Sequence, residues 1–100
     1  MYASITTVQV QPGKLDEVVT IWRTVAQPYV RTFPGFVRTS VFVNHSTAQV
    51  MSVVIYAKPA DAEAVQMSGR FQEVVEMFTP VLIPESLTRI GYEVAWEATE

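Results

Sequence analysis

Along this chain the apolar positions change their spacing several times, and each change marks an element. From Tyr2 to Gln11, β-branched residues alternate with polar ones, the two-residue period of a half-buried strand. Pro12-Gly13 ends that run. Leu15, Val18, Val19, Trp22, Val25, Ala26, Tyr29, Val30 and Phe33 then recur at helical spacing, with Asp16, Glu17, Thr20, Arg23, Thr24, Gln27 and Arg31 on the wet face. Pro28 lies inside this helix and has no N–H for the Thr24 carbonyl, so a kink or short break is predicted there. Pro34-Gly35 stops the helix. Phe36 to Val43 and Val50 to Ala57 read as an antiparallel pair of strands around an Asn44–Thr47 turn. Pro59 opens a second helix, with Asp61 and Glu63 in its first turn and an apolar stripe of Ala64, Met67, Phe71, Val74, Val75 and Phe78. Ser68-Gly69 divides it in two. Thr79 to Glu85, with Pro80 and Pro84, reads as a connector. Leu87 to Trp96 is the last strand, with Ile90, Tyr92, Val94 and Trp96 on one face.

The order β-α-β-β-α-β predicts a ferredoxin-like α+β sandwich over residues 1–100 as a single domain. Right-handed crossovers place both helices on one face of the sheet. In the third strand Val50, Val54 and Tyr56 share one face while Met51, Val53, Ile55 and Ala57 share the other, so both faces are apolar. Phe36 and Phe42 of the second strand are read as opposing Val37, Val41 and Val43. A face left bare by the helices needs a cover, and a second copy of the chain is the simplest one, making a barrel-like homodimer. Ser4, Thr6, Arg38, Ser40, Ser52, Arg89 and Glu93 are the polar residues expected to line a pocket on that face.

Composition agrees with a buried interface and narrows the function classes. Hydrophobic residues make up 49% of the chain and charged residues 17%, more apolar content than one small two-layer core hides. The net charge of -3 and the lack of a Lys/Arg run argue against nucleic acid as a partner. No stretch approaches the ~18 unbroken apolar residues of a membrane span. Met1 leads straight into a strand pattern, so a secretory leader is not expected. With no Cys and one His, neither a thiolate nucleophile nor a zinc or copper site is expected. A reducing, cytoplasmic location fits the missing cysteines.

Three short elements carry a resemblance: Val10-Gln11-Pro12-Gly13-Lys14, Phe33-Pro34-Gly35-Phe36, and Tyr56-Ala57-Lys58-Pro59-Ala60-Asp61-Ala62. With the length and layout, they resemble the antibiotic biosynthesis monooxygenase superfamily over nearly the whole chain. The resemblance implies a dimeric α+β barrel. It includes cofactor-independent monooxygenases of polycyclic phenols or quinols, haem-degrading enzymes and proteins without an assigned activity. The haem-degrading branch uses an Asn, a Trp and a His where an ungapped match places Thr6, Tyr56 and Val75. Val75 has no ligating atom, which argues against that activity. The phenol-oxidising branch relies on Asn, Trp, Tyr and Arg side chains around its cavity, and Thr6, Tyr56 and Arg38 are the replacements available here.

The candidate site follows from that resemblance. Tyr56 would hydrogen-bond a phenolate or quinone oxygen, or serve as core aromatic area. Arg38 would stabilise a substrate anion, or pair with Glu93 or reach solvent. Thr6 and Ser52 would add hydrogen bonds to the substrate, or simply fill strands. His45, the one histidine, reads as a solvated turn residue, and Asp16, Glu17, Glu73 and Glu76 as helix surface charges. Trp22 and Phe71 read as core anchors, and Trp96 as an interface residue. Three readings remain open on these residues: a cofactor-independent monooxygenase of a small aromatic, phenolic or quinol substrate; a non-catalytic dimeric barrel that binds a small hydrophobic ligand; and an isomerase or cyclase, which needs a general base. None of the three calls for a cofactor.

Overall fold

In a computed structural model of the chain, which describes residues 1–99, the elements run β1 (Tyr2–Val10), α1 (Leu15–Ile21), a π-helical segment (Trp22–Ala26), α2 (Gln27–Val30), β2 (Phe36–Asn44), β3 (Gln49–Tyr56), α3 (Pro59–Met67), α4 (Arg70–Met77) and β4 (Leu82–Glu93). The strands form one antiparallel sheet in the order β2-β3-β1-β4. This is the ferredoxin-like α+β arrangement the sequence pattern predicts. The core lies between the helices and one face of the sheet, where Val8, Val10, Val50 and Val54 meet Val18, Val30, Val65, Val74 and Phe78.

Pro28 disturbs the first helical run where expected, but as a π-helical wide turn and not as a break. The Gln27 N–H reaches back five residues to the Trp22 carbonyl, so the helix absorbs the proline by widening the turn before it. The second helix breaks at Gly69, whose φ of +83° suits a glycine. At the start of α3 the Lys58 N–H donates to Asp61 Oδ2 at 3.1 Å. The Asp61 side chain also fills the space a Cβ on Gly35 would take, and Gly35 holds φ +74°. The Ala57 N–H donates to the Gly35 carbonyl at 2.8 Å. Two of the short elements that carry the family resemblance are thus one joint, which fixes where α3 leaves the sheet.

Two expectations are corrected. The segment 79–85 is not a connector throughout: β4 begins at Leu82 and ends at Glu93, short of Trp96. Pro84 is tolerated because β4 is an edge strand and its ladder to β1 is irregular between Thr7 and Gln9. There the Gln9 N–H donates to Ser86 Oγ at 2.8 Å, and the Ser86 hydroxyl donates to the Ile83 carbonyl at 2.6 Å. A second irregularity, between Phe36 and Arg38, turns Phe36 to the face shared by Val41. Phe36 therefore does not stand with Phe42.

Candidate functional site

Successive strand residues point to opposite faces, so register decides which side chains meet. Thr6 pairs with Ser52 on one side and Arg89 on the other, and Ser52 pairs with Val41. The result is a row, Val41–Ser52–Thr6–Arg89, running across all four strands on the face toward the helices. Ser4 and Tyr56 share this face. Val18 and Trp22 from the first helical run, with Phe71, Val75 and Phe78 from the second, roof the row and enclose a cavity of about 80 Å³. Ser4, Thr6, Ser52, Tyr56 and Arg89 are among its lining residues, but its exposed walls are nearly all apolar. The Trp22 and Phe78 rings stack with centroids 6.0 Å apart, stiffening the roof.

Tyr56 is 2% exposed. Burial pushes its phenol above the ordinary value of 10.0, and the Arg89 charge pulls it back only in part. At neutral pH Tyr56 is therefore a neutral O–H donor at the cavity wall.

Arg89 is the cation of this site. Its guanidinium lies 4.7 Å from the centroid of the Phe71 ring. Its Nη1 donates to Gln66 Oε1 at 2.7 Å, while its Nε is buried with no hydrogen-bond partner. The same side chain lines an outer groove with Tyr2, Ala62, Glu63 and Gln66, so it stands between the cavity and the surface.

The sequence-based candidates divide. Thr6, Ser52 and Tyr56 come together at one cavity. Arg38 does not: it pairs with Ile55 in register, faces the opposite side of the sheet and forms an ion pair with Glu97. The pocket itself is also relocated. It lies inside one copy of the chain, between sheet and helices, and not on the face the helices leave bare. Ser40 shares Arg38's face, and Glu93 is exposed at the sheet edge. His45 is exposed in the β2–β3 turn, as expected for a solvated residue. Val75 lines the cavity with a side chain that cannot bind iron. Arg89 was expected among the polar residues lining a pocket, but not as the cation beside Thr6. Its pairing with Thr6 needs the β1–β4 register.

The bare face carries Ile5, Met51, Ile90 and Tyr92 around a shallow depression, with Phe42 beside it. Phe42, Ile90 and Tyr92 are each at least half exposed. The residues after β4 are tied to Met1 through the Val94 N–H, at 3.0 Å, and to Arg38 through Glu97. They therefore cross one end of this face, where Ala3 and Ile55 are buried. No helix is long and apolar enough to cross a membrane.

The family model for antibiotic biosynthesis monooxygenases matches residues 1–77. Among solved structures, a protein of Nitrosomonas europaea provisionally named an antibiotic biosynthesis monooxygenase superposes with a TM-score of 0.74 at 16% identity, covering 96% of this chain and 100% of its own. SnoaB, a cofactor-independent oxygenase from Streptomyces nogalater, superposes with a TM-score of 0.76 at 11% identity, covering 99% of this chain and 97% of its own. An uncharacterized NIPSNAP domain protein from Burkholderia xenovorans gives a TM-score of 0.70 at 13% identity, with both chains covered fully at 100%. At these identities the likeness is one of fold. No curated protein is significantly similar in sequence.

Proposed function

Because the chain belongs to the antibiotic biosynthesis monooxygenase family, we propose that its cavity oxidises a small phenolic or quinol substrate with dioxygen and without a resident cofactor. The observation that carries this reading is the meeting of Tyr56, Thr6 and Ser52 in one enclosed, otherwise apolar space. The substrate enters as its phenolate, having left its proton to solvent, is held by hydrogen bonds from Tyr56 and the strand hydroxyls, and regains one proton from solvent at the peroxide stage. Water is excluded, so the electron-rich ring passes an electron to dioxygen; radical and superoxide then combine at a ring carbon. The resulting hydroperoxide loses water to leave a carbonyl. The balance is one phenol with a ring C–H plus O₂ giving one quinone plus H₂O. Tyr56 stays protonated throughout and acts as a donor to developing negative charge.

A homodimer across the bare face is part of the proposal, supported by the exposure of Phe42, Ile90 and Tyr92. A second reading, a barrel that binds a small ligand without reaction, is favoured by one observation. None of the described His, Asp or Glu side chains lines the cavity as a general base. Oxygen uptake by purified protein with a panel of quinols and small phenols separates the two. Uptake that scales with protein and drops in Tyr56→Phe supports the oxygenase. Saturable binding with no uptake favours the binder.

A further inference from the structure

The roof of the cavity is not equally firm throughout. Val18, Val74 and Phe78 are buried, and Trp22 stacks on Phe78. Between α3 and α4 the packing thins: Gln66, Met67 and Ser68 are exposed, and Phe71 is half-buried. Gly69 takes the left-handed conformation, φ +83°, and α4 starts from it without a side-chain cap. Both flanks are anchored. α3 buries Ala62 and Val65, and further along α4 the Tyr29 hydroxyl donates to Glu73.

Arg89 spans this thin stretch. Its Nη1 donates to Gln66 near the end of α3, and its guanidinium lies over the Phe71 ring in the first turn of α4. Ser4 and Arg89 line both the cavity and the outer groove, so the two spaces meet at this side chain. Little else fixes it. Among the described residues the ion pairs are Lys14–Glu17 and Arg38–Glu97, and neither involves Arg89. Its bond to Gln66 is exposed to water, and its Nε has no acceptor. A bond of that kind breaks at small net cost.

Size gives the reason for a moving wall. An apolar cavity of about 150 Å³ takes one benzene ring. The space here is about 80 Å³, which suits a xenon atom. A ring fits only when a wall gives way, and the half-buried Phe71 is the lining residue beside the helix break.

We propose that residues 66–71 form a hinged gate: Arg89 latches Gln66 to Phe71, and release of the latch lets Phe71 turn outward about Gly69, widening the cavity to the size of one ring and opening it to the outer groove. This rests on reading the cavity as the ligand site, but it requires no turnover there.

The amides of Gly69 and Glu73 report the opening. The Gly69 N–H donates to the Gln66 carbonyl at 3.2 Å, and the Glu73 N–H to the Gly69 carbonyl at 3.1 Å. Gln66→Ala removes the latch bond at an exposed position. Hydrogen exchange at Gly69 and Glu73 should then speed up about two- to tenfold, the worth of one hydrogen bond. The Ala57 amide, bonded to Gly35, should keep its rate. A mere change in helix propensity has the opposite sign, because Ala favours helix more than Gln does. Arg89→Met should act in the same direction as Gln66→Ala.

Binding gives a second readout. Uniformly ¹⁵N-labelled protein has two tryptophan indole signals, from Trp22 and Trp96, assigned with Trp96→Phe. Benzene should shift the Trp22 signal saturably. Its affinity should rise in Gln66→Ala by the same factor as the exchange, because binding no longer includes the cost of unlatching. Xenon fits the closed space, so its affinity should be equal in the two proteins.

Unchanged or slower exchange at Gly69 and Glu73 in Gln66→Ala overturns the gate. So does a benzene affinity that ignores the substitution, a xenon affinity that rises with it, or no Trp22 shift with benzene. Gated benzene binding without oxygen uptake on any phenol would sink the oxygenase reading and leave this one standing. Oxygen uptake that depends on Tyr56, with exchange and benzene affinity unmoved by Gln66→Ala, would do the reverse.

Discussion

Ser4, Thr6, Ser52 and Arg89 look toward the helices, while their chain neighbours Ile5, Met51 and Ile90 look away, and the two surfaces are built to different rules. The helix-covered face mixes hydroxyls, a phenol and a cation into an apolar enclosure. The bare face mixes large half-exposed apolar side chains with Thr7, Ser40 and Thr88, and its Arg38 pairs with Glu97 at the margin. The helix-covered face thus buries Ser4, Thr6, Ser52 and Tyr56, and the bare face exposes Phe42, Ile90 and Tyr92. Each placement is wasteful for folding alone. Together they fit one face used for a ligand and the other for a second copy of the chain.

The comparison breaks most visibly if the bare face is charged. Ile5→Asp with Ile90→Asp should weaken self-association by more than about 10³-fold, since buried interface anchors each carry a few kcal/mol. Light scattering should then report the 11.2 kDa monomer mass where wild type gives twice that. A wild-type monomer at micromolar concentration would remove the dimer from the proposal.

The cavity face responds in rate. Tyr56→Phe should lower oxygen uptake about 10²-fold, the usual loss when one donor to developing oxyanion charge is removed. An unchanged rate would exclude Tyr56 from the chemistry. The same residue has a pH signature. Its folded value lies above the ordinary 10.0. The stabilisation from keeping it neutral is therefore complete below the unfolded value and is lost as pH rises through the folded one. Chemical denaturation from pH 8 to 11 should show stability falling at the alkaline end, by less in Tyr56→Phe.

Smaller effects test the scaffold that holds the two faces apart. Gly35→Ala meets the Asp61 side chain at a positive φ, and should cost about 2 kcal/mol, roughly 10 °C in Tm. Ala48 is the one non-glycine residue with positive φ among those described, at +56° in the β2–β3 turn. Ala48→Gly should raise stability by a few tenths of a kcal/mol up to about 1 kcal/mol, as relief of strain outweighs the added entropy of the unfolded chain. Destabilisation instead would mean that the turn is not strained.

Local pattern alone determined a good deal about this protein. The element order, the break at Gly69, a disturbance of the first helix at Pro28 and the apolar character of both sheet faces are all written in residue spacing, because helix and strand periods and backbone chemistry act over a few residues. Thr6 and Tyr56 were singled out through the resemblance and Ser52 by the strand pattern, with their pocket expected on the bare face and found under the helices. Tertiary structure alone decided which cation serves the cavity. Arg38 and Arg89 each sit among apolar strand residues, and local spacing does not say which of them faces the helices. The β2–β3 register sets Arg38 opposite Ile55, and the β1–β4 register sets Arg89 opposite Thr6. A one-residue slip exchanges faces, and both registers depend on irregularities, at Phe36–Arg38 and at Thr7–Gln9 beside Pro84. Those are settled by hydrogen bonds between residues such as Gln9 and Ser86, 77 positions apart in the chain, a distance over which local spacing carries no information.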